Sequence, residues 1–149
     1  MSSSHTVVPL DDPYDTIGFA LKQAQQALRT RMDADLRRIG LTTPQYAVLT
    51  FLQIEPGASN ADLARRAFVT PQTMQAILVG LEKADYILRA PHPDHGRVQI
   101  THLTPKGHAA LDAAARIVAE AERRLCEAAA PMPVADVNAL LLRLAKALR

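Results

Sequence analysis

The sequence predicts a mainly α-helical chain with one small β-hairpin, and three observations point to it. Apolar residues recur every three or four positions along most of the 149 residues, the period of a helix with one buried stripe. Thr or Ser, followed within a turn by Pro, Gln or Asp, stands before several of these stretches, as helix caps do. Only between Ile87 and Thr101 does the pattern alternate, across a proline-rich turn, as two short strands require.

Residues 1–14 contain proline and show no period, so they are expected as a flexible tail. From Asp15 the stripe Ile17, Leu21, Ala24, Leu28, Met32, Leu36 and Ile39 predicts a long helix, with Gly40 as its stop. Thr42-Thr43-Pro44-Gln45 reads as a cap with proline in the first turn and Gln45 completing a capping box. The helix it opens carries Tyr46, Leu49, Phe51 and Leu52 and ends at Glu55-Pro56-Gly57. Ser59 caps a brief helix with Asp62 as its capping carboxylate and Leu63, Ala64 and Ala67 on the buried side. Phe68-Val69 is the turn, and Thr70-Pro71 starts the next helix with Met74, Ile77, Leu78 and Leu81 inward. Gln72, Thr73, Gln75, Ala76 and Val79 then face out, and Asp85 ends the helix in a left-handed conformation.

Ile87-Leu88-Arg89 and Val98-Gln99-Ile100-Thr101 are the expected strands, and Pro91 to Arg97 forms a protruding tip. Thr104-Pro105 opens a long alanine-rich helix with the stripe Leu111, Ala114, Val118, Ala121 and Leu125. Ala130-Pro131-Met132-Pro133 breaks it, and a last helix presents Val137, Leu140, Leu141, Leu144 and Leu148.

Composition excludes several classes. Apolar content of 48% with 21% charge is ordinary for a folded domain. No apolar run approaches the roughly 18 to 20 residues of a membrane span, and the first residues lack the pattern of a secretory signal. One cysteine, Cys126, forms no internal disulfide framework and fits a reducing cytoplasm, the expected location. The net charge of +2 does not by itself indicate nucleic acid. From Thr42 to Thr104 five basic residues (Arg65, Arg66, Lys83, Arg89, Arg97) balance five acids (Glu55, Asp62, Glu82, Asp85, Asp94). The arginines, however, fall on the elements that would dock.

A capped helix, a tight turn, a second helix and a hairpin compose a winged helix-turn-helix, whose second helix enters the DNA major groove. Gln72, Thr73 and Gln75 lie early on that helix, where they either meet base edges or remain solvated polar positions. Glutamine pairs bidentately with adenine, and a threonine methyl meets that of thymine. Arg97 at the hairpin tip either reaches a narrow A·T-rich minor groove or is a surface residue. Ser59, Thr70, Pro71, Arg66, Arg89 and His95 complete the residues expected at DNA, with Ser59, Thr70, Arg65, Arg66 and Arg89 on phosphates. Stripes on the first and last helices exceed what this segment can cover, so residues 15–41 and 104–149 are expected to join two copies around residues 42–103.

These motifs resemble the MarR family of winged-helix transcriptional regulators. Leu41-Thr42-Thr43-Pro44-Gln45-Tyr46-Ala47-Val48-Leu49, Ala61-Asp62-Leu63-Ala64-Arg65-Arg66, Val69-Thr70-Pro71-Gln72-Thr73-Met74 and Leu103-Thr104-Pro105-Lys106-Gly107 are similar to its successive helix signatures. The resemblance implies a homodimer on palindromic promoter DNA, usually a repressor. It also implies release by a small aromatic or phenolic ligand in a cleft between the dimer helices and the winged part, or, in other members, by cysteine oxidation. Two positions depart from the pattern. The wing's Asp-x-Arg is replaced by His95-Gly96-Arg97 with Asp94 one residue early, and a usual glycine is Asp85.

Phe19, Tyr46 and Phe51 are the aromatic candidates for that cleft, with plain core packing as the other reading. Cys126 reads as a packed small hydrophobe rather than a sensor. His92, His95, His102 and His108 lack the spacing of a metal set, and no cofactor is expected. An enzyme is not expected either. Cys126 and His108 lie on one predicted helix about five turns apart, and no glycine-rich phosphate loop follows a strand.

Overall fold

A computed structural model describes residues 12–149; most of the tail expected over residues 1–14 therefore lies outside the described residues. The elements are α1 (Ile17–Arg37), α2 (Thr43–Ile54), β1 (Ala58–Ser59), α3 (Asn60–Ala67), α4 (Pro71–Lys83), β2 (Ile87–Pro91), β3 (Gln99–Leu103), α5 (Pro105–Ala129) and α6 (Val134–Ala147). Six helices and a small antiparallel sheet match the fold class the sequence predicts.

The boundaries follow from local chemistry. Thr42 Oγ1 accepts from the Gln45 amide at 3.2 Å while Gln45 Oε1 accepts from the Thr42 amide at 3.1 Å, so the capping box of α2 is complete. Thr70 and Thr104 likewise accept from the third residue onward, with proline opening both helices. Gly40 turns the chain out of α1 at φ 79°, and Asp85 does so after α4 at φ 63°, the left-handed region expected for Asp85.

The hairpin pairs Ile87 with Leu103, Arg89 with Thr101 and Pro91 with Gln99, so both strands run past their expected ends. The sequence reading also omitted β1. Ala58 and Ser59 pair with Thr101 and Ile100, giving the order β1-β3-β2. Two residues cannot display a period, and their partner lies forty residues on, so only tertiary pairing reveals this strand.

Leu36, Leu41, Val48, Leu49, Leu52, Leu63, Met74, Leu78, Leu81 and Ile87 form the core beneath α2, α3 and α4, joined by Leu111 and Ala114 of α5. Burial of one such leucine contributes about 1.5–3 kcal/mol. Outside this core the stripes behave differently. On α1 only Met32 and Leu36 are buried, and α6 buries nothing. Ile17, Leu21, Leu28, Leu125, Leu140 and Leu141 remain exposed in the single chain.

Candidate nucleic-acid interface and neighbouring cavity

At the start of α3 the Ser59 hydroxyl accepts from the Asp62 amide at 3.2 Å and donates to Asp62 Oδ2 at 2.7 Å. That donation, aided by Arg65 and Arg66, holds the Asp62 carboxyl below its ordinary value of 3.8. Arg65 pairs with Asp62 and Arg66 with Glu55. Ser59 and Arg66, both expected on DNA phosphates, therefore have intramolecular partners instead of free polar groups.

Phe68 makes the turn to α4 in the left-handed region, φ 54°, with 88% of its surface exposed. Thr70 Oγ1 accepts from the Thr73 amide at 3.1 Å and donates to Thr73 Oγ1 at 3.0 Å. Pro71, Gln72, Thr73, Gln75 and Ala76 are exposed, while Met74, Leu78 and Leu81 anchor the opposite side. The outward row expected on this helix is thus in place over its first turns.

Arg89 takes an unexpected position. Its side chain is only 13% exposed; Nε donates to Glu82 Oε2 at 3.1 Å and Nη1 to Gln75 Oε1 at 3.0 Å. The arginine therefore braces α4 against β2 rather than projecting toward a phosphate. Asn60 Nδ2 donates to the same Gln75 oxygen at 2.9 Å. Nothing in the sequence signalled that Asn60 and Glu82 would meet Gln75 and Arg89, because these partners come together only when α3, α4 and β2 pack.

The wing tip is organised by His92. Its Nδ1 accepts from the backbone amides of Asp94 at 3.0 Å and His95 at 3.2 Å, so an imidazole performs the turn-closing role usually taken by a carboxylate. His92 and Val98 are also joined by a backbone bond of 2.7 Å. His95 lies with its ring 5.1 Å from that of His92. Arg97 is exposed at the tip and makes no ion pair or side-chain hydrogen bond among the described residues.

Behind α4 a cavity of about 660 Å³ opens between α1, α2, the α3–α4 turn and α5. Leu28, Met32, Pro44, Phe51, Val69, Ile77 and Val118 give it apolar walls; Thr43, Tyr46, Arg29, Arg66 and Glu122 add polar groups. Tyr46 and Phe51 thus share one chamber. Phe19 does not: it lines a separate open hollow along α1 with Lys22 and Gln26 and packs edge-on against Tyr14 at 5.1 Å. The structure thus places Phe19 apart from the other two: it stands six residues before Gln25, where the lining of the chamber on α1 begins. Arg29 also lines the cavity and was not singled out from the sequence, since a charge beside an apolar stripe reads as solvated.

Cys126 is half-buried on α5, and among the described residues no three His, Cys, Asp or Glu side chains gather as a metal site needs. No single helix among them is long and apolar enough to cross a membrane.

A tri-helical core, a capped reading helix and a β-hairpin flanking it define a winged helix-turn-helix protein. The MarR family model matches residues 39–98. The HTH-type transcriptional repressor Rv2887 of Mycobacterium tuberculosis is 37% identical over 73% of this chain and 78% of its own. Among solved structures, the transcriptional repressor CouR bound to a 23-mer DNA duplex superposes with a TM-score of 0.82 at 29% identity, covering 95% of this chain and 99% of that one. Rv2887 in complex with salicylic acid gives a TM-score of 0.65 at 33% identity, over 91% and 97%. This chain belongs to the MarR family and is a transcriptional regulator.

Proposed function

We propose that two copies bind one palindromic promoter duplex, block transcription when unliganded, and let go when a small aromatic acid or phenol enters the cavity. The observation that carries this reading is that Gln72, Thr73 and Gln75 on α4 are exposed, as is Arg97 at the wing tip, which has no side-chain partner among the described residues. The former suit the major groove and the latter the adjacent minor groove. Thr70, Pro71 and His95 approach the backbone beside them, while Ser59, Arg66 and Arg89 act by holding the reading elements in position.

Residues 15–41 and 104–149 join the copies, and residues 42–103 engage DNA. Exposed leucines on α1 and α6 support that division, since a second copy is the economical cover for them. Two-fold pairing spaces the α4 helices for half-sites about one helical turn apart. Such a regulator works in the cytoplasm, beside its promoter, and performs no catalysis: Cys126 and His108 stand about 27 Å apart along α5 by helix rise.

Effector chemistry follows from the cavity lining. An aromatic ring suits Phe51, Val69 and Ile77, and its carboxylate suits Arg29 and the Tyr46 hydroxyl. Arg66, Phe68 and Val69 belong to α3 and the turn into α4, so an occupant bears directly on the reading helix. The salicylic acid complex of Rv2887 favours the same class of compound.

The test is a gel shift on the duplex upstream of the protein's own coding sequence. A retarded band that weakens at least tenfold in Arg97→Ala is expected, since a narrow-groove arginine is a principal contact. Salicylate should raise the melting temperature and release the band. No stabilisation across a panel of aromatic acids would remove the effector from the reading, and no retarded band at low salt would remove DNA.

A further inference from the structure

We propose that Gln75 addresses its base pair as a hydrogen-bond donor only, selecting guanine over adenine at one position of each half-site. The inference rests on α4 being the helix that enters the major groove. A free glutamine amide presents one donor and one acceptor side by side, the match to adenine N7 and N6. Here Oε1 already accepts from Asn60 Nδ2 at 2.9 Å and from Arg89 Nη1 at 3.0 Å. A carbonyl oxygen has two lone pairs, and both are engaged.

Arg89 also fixes the sense of the amide. A guanidinium carries donors alone, so it faces the oxygen and never the amino group. Its own freedom is removed by Glu82, which accepts from Nε at 3.1 Å, and by its burial between α4 and β2. The fork is thus held by three elements, α3, α4 and β2, before any DNA arrives.

What remains free on this exposed side chain is the Nε2 amino group, which makes no hydrogen bond among the described residues. In the major groove guanine offers two acceptors, N7 and O6, whereas adenine sets its N6 donor beside N7. The Gln75 amino group is satisfied by the first and opposed by the N–H of the second. The bidentate adenine contact open to an unconstrained glutamine is therefore closed to this one.

The experiment selects duplexes from a random pool with the wild-type protein, then competes the enriched duplex against each base at every position. Gln75→Ala, Arg89→Met and Asn60→Ala are carried through the same competition after a thermal melt. Wild type is expected to favour guanine over adenine about tenfold at one position per half-site, and Gln75→Ala to flatten that position alone. Arg89→Met releases the amide and should move the preference to adenine, whatever the loss in total affinity. Asn60→Ala frees one lone pair without touching Arg89 and should narrow the guanine preference, which keeps the test valid if Arg89→Met does not fold. Adenine preferred by wild type at the position that Gln75→Ala flattens would overturn the proposal. So would an unchanged preference in both freed variants, or no position sensitive to Gln75. A pool that yields no enriched duplex at all would instead overturn the groove reading on which the inference stands.

Discussion

Asp85 holds a left-handed conformation at φ 63° where related chains carry glycine by the resemblance noted above. An L-residue there strains its Cβ against the backbone, and aspartate tolerates it better than most. Asp85→Gly is accordingly expected to stabilise the chain by about 0.5–1 kcal/mol, read as a higher urea midpoint with unchanged slope. Asp62 offers a second test, through pH. Its folded carboxyl titrates below the ordinary 3.8 because Ser59 and the nearby arginines favour the charged form. A depressed folded value means that the stabilisation is whole above 3.8 and vanishes as pH falls through the folded value. Asp62→Asn should therefore cost below about 1 kcal/mol at neutral pH, the small size reflecting solvent screening at a half-exposed site. Urea melts at stepwise lower pH should show that gap closing below about pH 3.8; a constant gap would count against the assignment. Both residues were legible from type and spacing, since Asp85 follows the last apolar position of α4 and Asp62 stands three after Ser59. The brace of Gln75, Arg89, Asn60 and Glu82 was not, because its hydrogen bonds span seven to fifteen residues and form only when three elements pack.

Helices and hairpin depend on how α5 begins. Thr104 Oγ1 donates to the Asp85 carbonyl at 2.6 Å, Lys106 Nζ to that of Ala84 at 2.9 Å, and the Thr104 amide to that of Tyr86 at 3.1 Å. The carbonyls left unpaired where α4 ends are thereby satisfied by the first turn of α5. Close approach is possible only because Gly107 has no side chain: a Cβ there would lie 2.1 Å from the Tyr86 carbonyl oxygen. Gly107→Ala must push α5 away from the α4–β2 turn and is expected to cost about 1–3 kcal/mol or more. The variant should also weaken DNA binding, since in the proposed pairing α5 sets the reading helix relative to the second copy. Thermal melting with a gel shift checks both, and an unaltered melt would show that the turn has slack. The helix starts were readable because capping chemistry is local. The ends of β2 and β3 and the existence of β1 were set by pairing, which adds residues wherever a partner backbone continues.

For the whole molecule, the proposed pairing rests on the unburied faces of α1 and α6. Leu140, Leu141 and Leu142 on α6 are all exposed in one chain, an arrangement unfavourable in water unless covered. Leu141→Glu should give a single-chain species in sedimentation where wild type gives a pair. Its affinity for a palindromic duplex should fall about a hundredfold or more, as two linked half-site contacts become one. A variant that stays paired would move the interface elsewhere on the helices. Coupling between the cavity and DNA belongs to this scale as well. The chamber is walled by α1, α2 and α5 on one side and by the α3–α4 turn on the other, so under the proposed function an occupant is expected to change the angle between them.

Period, cap and turn residues are short-range properties, and they were enough to specify six helices, a hairpin, the outward row on α4 and the membership of Arg97 in a protruding tip. Long-range packing settled the rest: which side chains on those elements keep their polar groups free. Folding packed Arg89 against Glu82 and Gln75, paired Arg66 with Glu55 at the surface, left Arg97 exposed without a partner among the described residues, and separated Phe19 from Tyr46 and Phe51. The physical reason is that a charged or amide group takes whichever partner the tertiary contacts bring within about 3 Å. Residue type says only that it needs one.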